Sequence, residues 1–206
     1  MTYSHLYTNE ALRESDLGDL IDVLKKIHSS ETHIPEDIKI YSNYSEKINS
    51  RYLSNIDLYE KIDRSRDFYE EISKRLNLYE IERRGKCGII HGDPVFTNIF
   101  LTERSLKLID PRGKNGESLS IYGDINYDFS KIFQSIMGYD HILSGVEINY
   151  NYMNRMMDSF SRNFSKEEFE NIKTITASLF FSLIPLHEIS MNRFNKYFNT
   201  IEKLIS

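Results

Sequence analysis

Glycine placement is the feature that most restricts how this chain of 206 residues can fold. One of its nine glycines, Gly18, precedes residue 85; the other eight lie between Gly85 and Gly145, and none follows. Because glycine marks turns and close backbone approaches, both ends of the chain should be helical and the middle should hold strands and loops. The sequence therefore predicts one α+β domain over residues 1–206, and that domain should be mostly helical.

Hydrophobic periodicity divides this domain into four segments. Residues 1–15 form an N-terminal extension, 85–126 carries loops and hairpins, and 16–84 and 127–206 are helical. Apolar residues spaced three and four apart predict the individual helices. These helices cover 16–29, the region of 44–52, roughly 64–79, 127–137, the region of 152–160, 165 to about 185, and roughly 190–204.

Several residues should set the ends of these helices. Ser15 or Asp16 should cap the first helix, and a loop around Pro35 should follow it. Ser165 and Glu168 form a capping box for the helix that starts there. That helix should kink or end near residue 185, where a proline occurs.

Three short apolar runs in the middle segment predict β-strands. They cover 87–90, 98–101 and 106–109. The polar residues between the second and third runs predict a β-hairpin with its turn at Glu103 and Arg104.

Composition narrows the classes of function. The formal charge of −5 disfavours a general nucleic-acid binder. The chain has no apolar run long enough to cross a membrane, and it begins without the basic and apolar regions of a signal peptide. Its single cysteine, Cys87, excludes an internal disulfide and a cysteine-based zinc site. We therefore expect a cytoplasmic protein with no membrane span and no nucleic-acid partner.

Polar residues interrupt the apolar runs of the middle segment in a pattern that suits phosphoryl transfer. His91, Asp93 and Asn98 lie on the loop between the first two runs, and Asp110 ends the third. A hairpin brings its two ends together, so Asn98 and Asp110 should be neighbours that hold Mg²⁺. Asp93 would then face a substrate hydroxyl as a base. Gly92 would let the loop turn tightly, and His91 would brace it.

The motifs around these residues resemble a known family. HGDPVFTNIF, LIDPRG and YGDINYDFSK follow one another in the order seen in the aminoglycoside phosphotransferase and choline kinase branch of the protein-kinase superfamily. The variant IDPRG, followed by IYGD and YDFSK, is most similar to phosphotransferases of bacterial capsule and surface-polysaccharide gene clusters. The match covers about residues 87–140, and a helix ending in LKKIHSS extends the likeness back to about residue 16.

This resemblance implies the large lobe of a protein-kinase-like fold and the transfer of the ATP γ-phosphate to a small-molecule hydroxyl. The acceptor would be a sugar, a polyol or an amino alcohol. Asp93 is implied as the catalytic base, Asn98 and Asp110 as the Mg²⁺ ligands, and His91 as a structural brace. Asp128 is implied to hold the catalytic region through backbone hydrogen bonds, and Asp124 to do similar work.

Two basic residues follow Asp110 in the same loop. Arg112 and Lys114 could contact phosphates or an anionic substrate, or they could be solvent-exposed loop charges. The sequence leaves both interpretations open.

The small N-terminal lobe of that family, which covers the nucleotide, has no counterpart in this sequence. The first 15 residues contain neither glycine nor lysine. We therefore expect either a separate chain or domain that supplies the lobe, or a non-catalytic partner module of the same fold. A third hypothesis is a phosphohydrolase that uses Asp93, Asp110 and Asp124 to hold two metals about 4 Å apart.

Overall fold

The computed structural model describes residues 1–30, 37–103, 105–186 and 191–206. These residues form ten α-helices and six short β-strands. The helices are α1 (Tyr3–Thr8), α2 (Glu14–His28), α3 (Ser45–Leu53), α4 (Ile56–Tyr59), α5 (Ser65–Ile81), α6 (Ile125–Ile136), α7 (Tyr139–Ser144), α8 (Tyr150–Ser161), α9 (Lys166–Leu183) and α10 (Met191–Ile205). The strands are β1 (Cys87–Ile89), β2 (Ile99–Leu101), β3 (Leu106–Leu108), β4 (Lys114–Asn115), β5 (Ser118–Leu119) and β6 (Tyr122–Asp124). The predicted α+β class and the dominance of helix are confirmed.

The strands form three antiparallel pairs: β1 with β6, β2 with β3, and β4 with β5. The predicted β2–β3 hairpin is confirmed, with Ile99 opposite Leu108. The Thr102 amide donates to the Ser105 carbonyl at 2.9 Å and closes its turn, in which Arg104 lies outside the described residues. The pairing of β1 with β6 was not predicted; it places the start of α6 beside the loop that follows β1.

The N-terminal cap of α2 differs from the prediction. Arg13, not Ser15 or Asp16, is the N-cap of α2, and Asp16 lies at the third helical position. From there its carboxylate accepts the Arg13 amide at 2.9 Å, so the aspartate caps the helix from inside its first turn. The capping box of Ser165 and Glu168 is confirmed. The loop predicted around Pro35 lies outside the described residues.

Helix α9 lies at the centre of the structure and packs against α6, α10, α5 and α3. It ends at Leu183 and passes into a short 3₁₀ turn, Ile184–Leu186, as the proline at 185 predicts. Aromatic side chains fill the core; Tyr59 stacks on Phe181, for example, with ring centroids 4.6 Å apart. This packing fixes α6, whose first two turns carry much of the site described below. No helix in the described ranges is long and apolar enough to cross a membrane.

The N-terminal residues belong to the core and are more than an extension. The Met1 amine donates to the Leu101 carbonyl at 3.0 Å, which adds the chain start to the edge of β2. Tyr3 and Tyr7 are fully buried and meet the ring of Phe96 edge-on, with centroids 5.9 and 5.2 Å away. Since Phe96 lies between Asp93 and Asn98 in the sequence, α1 supports the polar loop from behind.

Replacing Tyr7 by phenylalanine should destabilise the fold. The Tyr7 hydroxyl donates to the Ile136 carbonyl at 2.7 Å in a buried position, and its loss would leave that carbonyl unpaired at a cost of about 1–3 kcal/mol. Denaturant unfolding measures the change. Tyr150→Phe is the matched control, because Tyr150 is 55% exposed; equal midpoints for the two variants would contradict the assigned role.

Candidate functional site

The loop after β1 is anchored by one buried carboxylate. Asp128 of α6 has no exposed surface, and it accepts the backbone amides of His91 at 2.8 Å and Gly92 at 2.7 Å. Its Oδ2 also lies 3.0 Å from Nε2 of His28, the last residue of α2. One side chain therefore joins two helices to the start of the loop, which is the backbone hydrogen bonding that the resemblance implies for Asp128.

Gly92 meets a backbone requirement that other residues meet poorly. Its φ of +82° lies in the left-handed region, and a Cβ built there would lie 2.8 Å from Cβ of Arg112. The backbones touch at the same place, since the Arg112 amide donates to the His91 carbonyl at 2.8 Å. The segment after Asp110 is thereby held against the loop.

Asn98 links the other end of the loop to the β2–β3 hairpin. Its Nδ2 donates to the carbonyl of Asp93 at 2.9 Å. Its own carbonyl accepts the Ile109 amide at 3.0 Å, which continues the hairpin pairing to the residue before Asp110. The backbone therefore brings Asn98 and Asp110 to neighbouring positions, as the hairpin predicts.

Asp110 has an unusual backbone conformation. Its φ is +58°, in the left-handed region, which for a residue other than glycine costs on the order of 1 kcal/mol or more. The two hydrogen bonds on either side of it, at Ile109 and Arg112, hold it there. Asp110 is exposed, so these hydrogen bonds hold a residue with an accessible carboxylate beside the loop.

Asp93 forms an ion pair that the sequence did not predict. Its Oδ1 lies 3.0 Å from Nζ of Lys131, whose side chain is only 16% exposed. Its amide donates to Nδ1 of His91 at 3.3 Å, which is the contact that the His91 ring makes within the loop. Lys131 lies one helical turn beyond Asp128 on α6; the YDFSK spacing contained that signal, because residues three apart share a helix face.

Two more basic residues lie near Lys131 and form a positively charged group with it. This group is here called the cationic cluster: Lys47, Arg112 and Lys131. The hydroxyl oxygen of buried Tyr127 accepts from Arg112 Nη1 at 3.0 Å and from Lys47 Nζ at 3.4 Å. Lys131 Nζ lies 5.8 Å from the centroid of the same ring. Burial alone would raise the pKa of Tyr127, but the three cations outweigh it and lower that pKa to about 8.

The two basic residues predicted after Asp110 therefore differ in placement. Arg112 is half-buried and belongs to the cationic cluster. Lys114 is exposed on β4, where it pairs with Leu119. Lys47 and Tyr127 were missed as site residues because nothing local in the sequence connects α3 with α6.

Asp124 serves the fold. It is buried and accepts the hydroxyls of Tyr44 and Tyr79, and its Oδ1 accepts the amides of Lys86 and Asn126, both at 3.1 Å. Burial raises its pKa, and these hydrogen bonds oppose the rise. Both carboxylate oxygens are therefore occupied, which removes Asp124 as a metal ligand and disfavours the phosphohydrolase hypothesis.

Comparison of the chain with known protein families, with curated proteins and with solved structures found no match. Within the described ranges, no group of three or more His, Cys, Asp or Glu side chains is arranged to hold a metal ion. Asn98 and Asp110 provide one amide and one carboxylate, so they do not make up a group of three such side chains.

Asp128→Asn should destabilise the fold and free the loop. The NH₂ group of the asparagine would face one of the two backbone N–H donors, and the buried carboxylate that accepts them would be lost. The free energy of unfolding should fall by about 3 kcal/mol. Denaturant unfolding measures the loss, and hydrogen exchange at the His91 and Gly92 amides should speed up with it. Asp57→Asn on the short helix α4 is the control; unchanged exchange at both amides would contradict the anchoring role.

Tyr127 should ionise near pH 8, about two units below an ordinary tyrosine. Phenolate absorbance, taken as the difference between the parent protein and Tyr127→Phe, measures it. Because the folded-state pKa is lowered, the associated stability is complete above the unfolded pKa and is lost as pH falls through about 8. Lys47→Gln should move the transition to higher pH; a transition near 10 in the parent would refute the clustering of charge.

Proposed function

We propose that the protein is a phosphotransferase that moves the γ-phosphate of ATP to a hydroxyl group of a small molecule. The observation that carries this proposal is that Asn98 links Asp93 to the residue before Asp110: its side-chain amide donates to the Asp93 carbonyl, and its own carbonyl accepts the Ile109 amide. A carboxylate, an amide and a second carboxylate are the groups that phosphoryl transfer requires for the base and the metal. The sequence resemblance to aminoglycoside phosphotransferases and choline kinases supports the same conclusion, with the described helices and hairpins as a kinase-like large lobe.

Asn98 and Asp110 would hold Mg²⁺. The Asn98 nitrogen is engaged by the Asp93 carbonyl, so the amide oxygen is the group left for a cation. Asp110 is exposed, and no described residue forms an ion pair with it. Two oxygen ligands leave room for phosphate oxygens, and a bound Mg²⁺ would neutralise the charge on the phosphates of ATP.

Asp93 would act as the base. Lys131 contacts Oδ1, so Oδ2 is the oxygen that can accept the proton of the acceptor hydroxyl. The hydroxyl oxygen then forms a bond to the γ-phosphorus, the bond to the β-phosphate oxygen breaks, and ADP leaves. Lys131 fixes the rotamer of Asp93 and belongs to the positioning residues.

A separate chain or domain would cover the nucleotide. The residues before α2 form α1 and pair with the edge of β2, and the described sheets have two strands each apart from that bridge. No described element is therefore free to form a nucleotide-covering lobe. The same observation favours the second candidate, a non-catalytic partner module.

A cytoplasmic location agrees with ATP as the co-substrate. The resemblance points to capsule or surface-polysaccharide synthesis.

Asp93→Asn should lower turnover by about 10²- to 10⁴-fold with little change in stability. The measurement is ADP release with a panel of sugars, polyols and their phosphates, in the presence of the product of any adjacent reading frame that encodes a glycine-rich loop. Thr97→Ala, at an exposed position of the same loop, is the matched control. Equal rates for Asp93→Asn and the parent would remove Asp93 as the base.

Calorimetry separates the two candidates. Mg²⁺-ATP should bind the parent protein, and Asp110→Ala should abolish the heat. No heat from the parent, with the covering chain supplied, would support the non-catalytic module instead.

A further inference from the structure

A polar cleft opens between α3 and the β4–β5 hairpin. Its volume is about 560 Å³, and its walls carry four basic and two acidic side chains: Lys39, Lys47, Arg51, Arg112, Glu46 and Glu117. The walls are joined below by a buried amide pair, in which Asn43 Nδ2 donates to Asn115 Oδ1 at 3.1 Å. Asn115 in turn donates to the Lys39 carbonyl at 3.0 Å, so the cleft has a fixed floor.

Two residues of the cationic cluster line this cleft and connect it to the proposed base. Lys47 and Arg112 line the cleft and also contact the Tyr127 hydroxyl. Lys131, beside the same ring, forms the ion pair with Asp93. A molecule in the cleft would therefore extend from the basic walls toward Asp93.

The positive charge of the cationic cluster is only partly balanced by carboxylates. The cationic cluster contains three cations, and Asp93 is the only carboxylate that the described contacts place against it. Neither Lys47 nor Arg112 forms an ion pair with a described carboxylate. Partly buried cations without a counter-charge are unfavourable, and burial accordingly lowers the pKa of Lys47. An anion placed among them would relieve this cost.

We propose that this cleft binds the acceptor, and that the acceptor is a hydroxyl compound that already carries a phosphate group. This inference rests on the proposed function and narrows it. Arg112 and Lys47, the two members of the cationic cluster that line the cleft, match a phosphate dianion. A cationic acceptor, such as an amino alcohol or an aminoglycoside, would meet a net positive charge beside Asp93 and is disfavoured.

The geometry separates the acceptor phosphate from the donor phosphate. Asp93, Asn98 and Asp110 do not line the cleft. The γ-phosphate of ATP has to lie at the metal held by Asn98 and Asp110, whereas the cleft extends from the cationic cluster along α3. The acceptor phosphate and the donor phosphate would therefore occupy different places.

Binding of inorganic phosphate to the full chain tests the inference. We expect calorimetry to detect phosphate binding, and the pKa of Tyr127 to rise toward the ordinary value when phosphate occupies the cluster; chloride at matched ionic strength should leave that pKa unchanged. Lys47→Gln and Arg112→Gln should each weaken phosphate binding at least tenfold. Lys74→Gln, which removes the same charge from an exposed position on α5, should not.

Three results would overturn the inference. The first is that the parent protein does not bind phosphate. The second is that Lys47→Gln and Lys74→Gln bind phosphate with equal affinity. The third is that each Mg²⁺-ATP displaces one phosphate, which would assign the cationic cluster to the donor. Phosphate affinity that is unchanged by saturating Mg²⁺-ATP supports an acceptor site. If the proposed function is wrong, Mg²⁺-ATP will not bind. The phosphate measurements would then still decide whether the cleft binds an anion.

Discussion

The buried carboxylate of Asp128 is the interaction on which the rest of the site depends. It accepts two successive backbone amides from the loop after β1 and contacts the ring of His28, so α2, α6 and the loop meet at one group. Buried charge is tolerated only where hydrogen bonds replace water. The two loop amides replace water around the buried carboxylate, and the same hydrogen bonds fix the backbone immediately before Asp93.

The four aspartates between residues 93 and 128 divide by environment. Asp124 and Asp128 are enclosed and use their oxygens to hold the ends of β1, β6 and α6. Asp93 and Asp110 keep solvent access. Residues of one chemical type therefore either support the fold or stay accessible to solvent, depending on how many protein donors surround them. Around Asp93 the cations outnumber the carboxylates, so the local charge differs in sign from the overall charge of −5.

Local patterns predicted most of the helices and the β2–β3 hairpin, because periodicity and turn chemistry depend on neighbouring residues. They missed the β1–β6 pair, whose strands have three residues each and lie more than thirty positions apart. The cap of α2 was misplaced because an aspartate can cap from the first turn as well as from the N-cap. The HGDPVFTN loop, Asp110 and Arg112 could be singled out from sequence, whereas the grouping of Arg112 with Lys47 and Lys131 could not, since α3, the loop after β3 and α6 meet only in three dimensions.

The contact between His28 and Asp128 spans 100 positions of sequence. During synthesis, residues of the loop leave the ribosome well before the carboxylate that orders them, and closing such a separation costs chain entropy and slows folding. A nascent chain that stops before α6 would thus expose an unordered loop with its helical support incomplete. The loop after β1 consequently cannot reach its described conformation until the first turns of α6 have been synthesised.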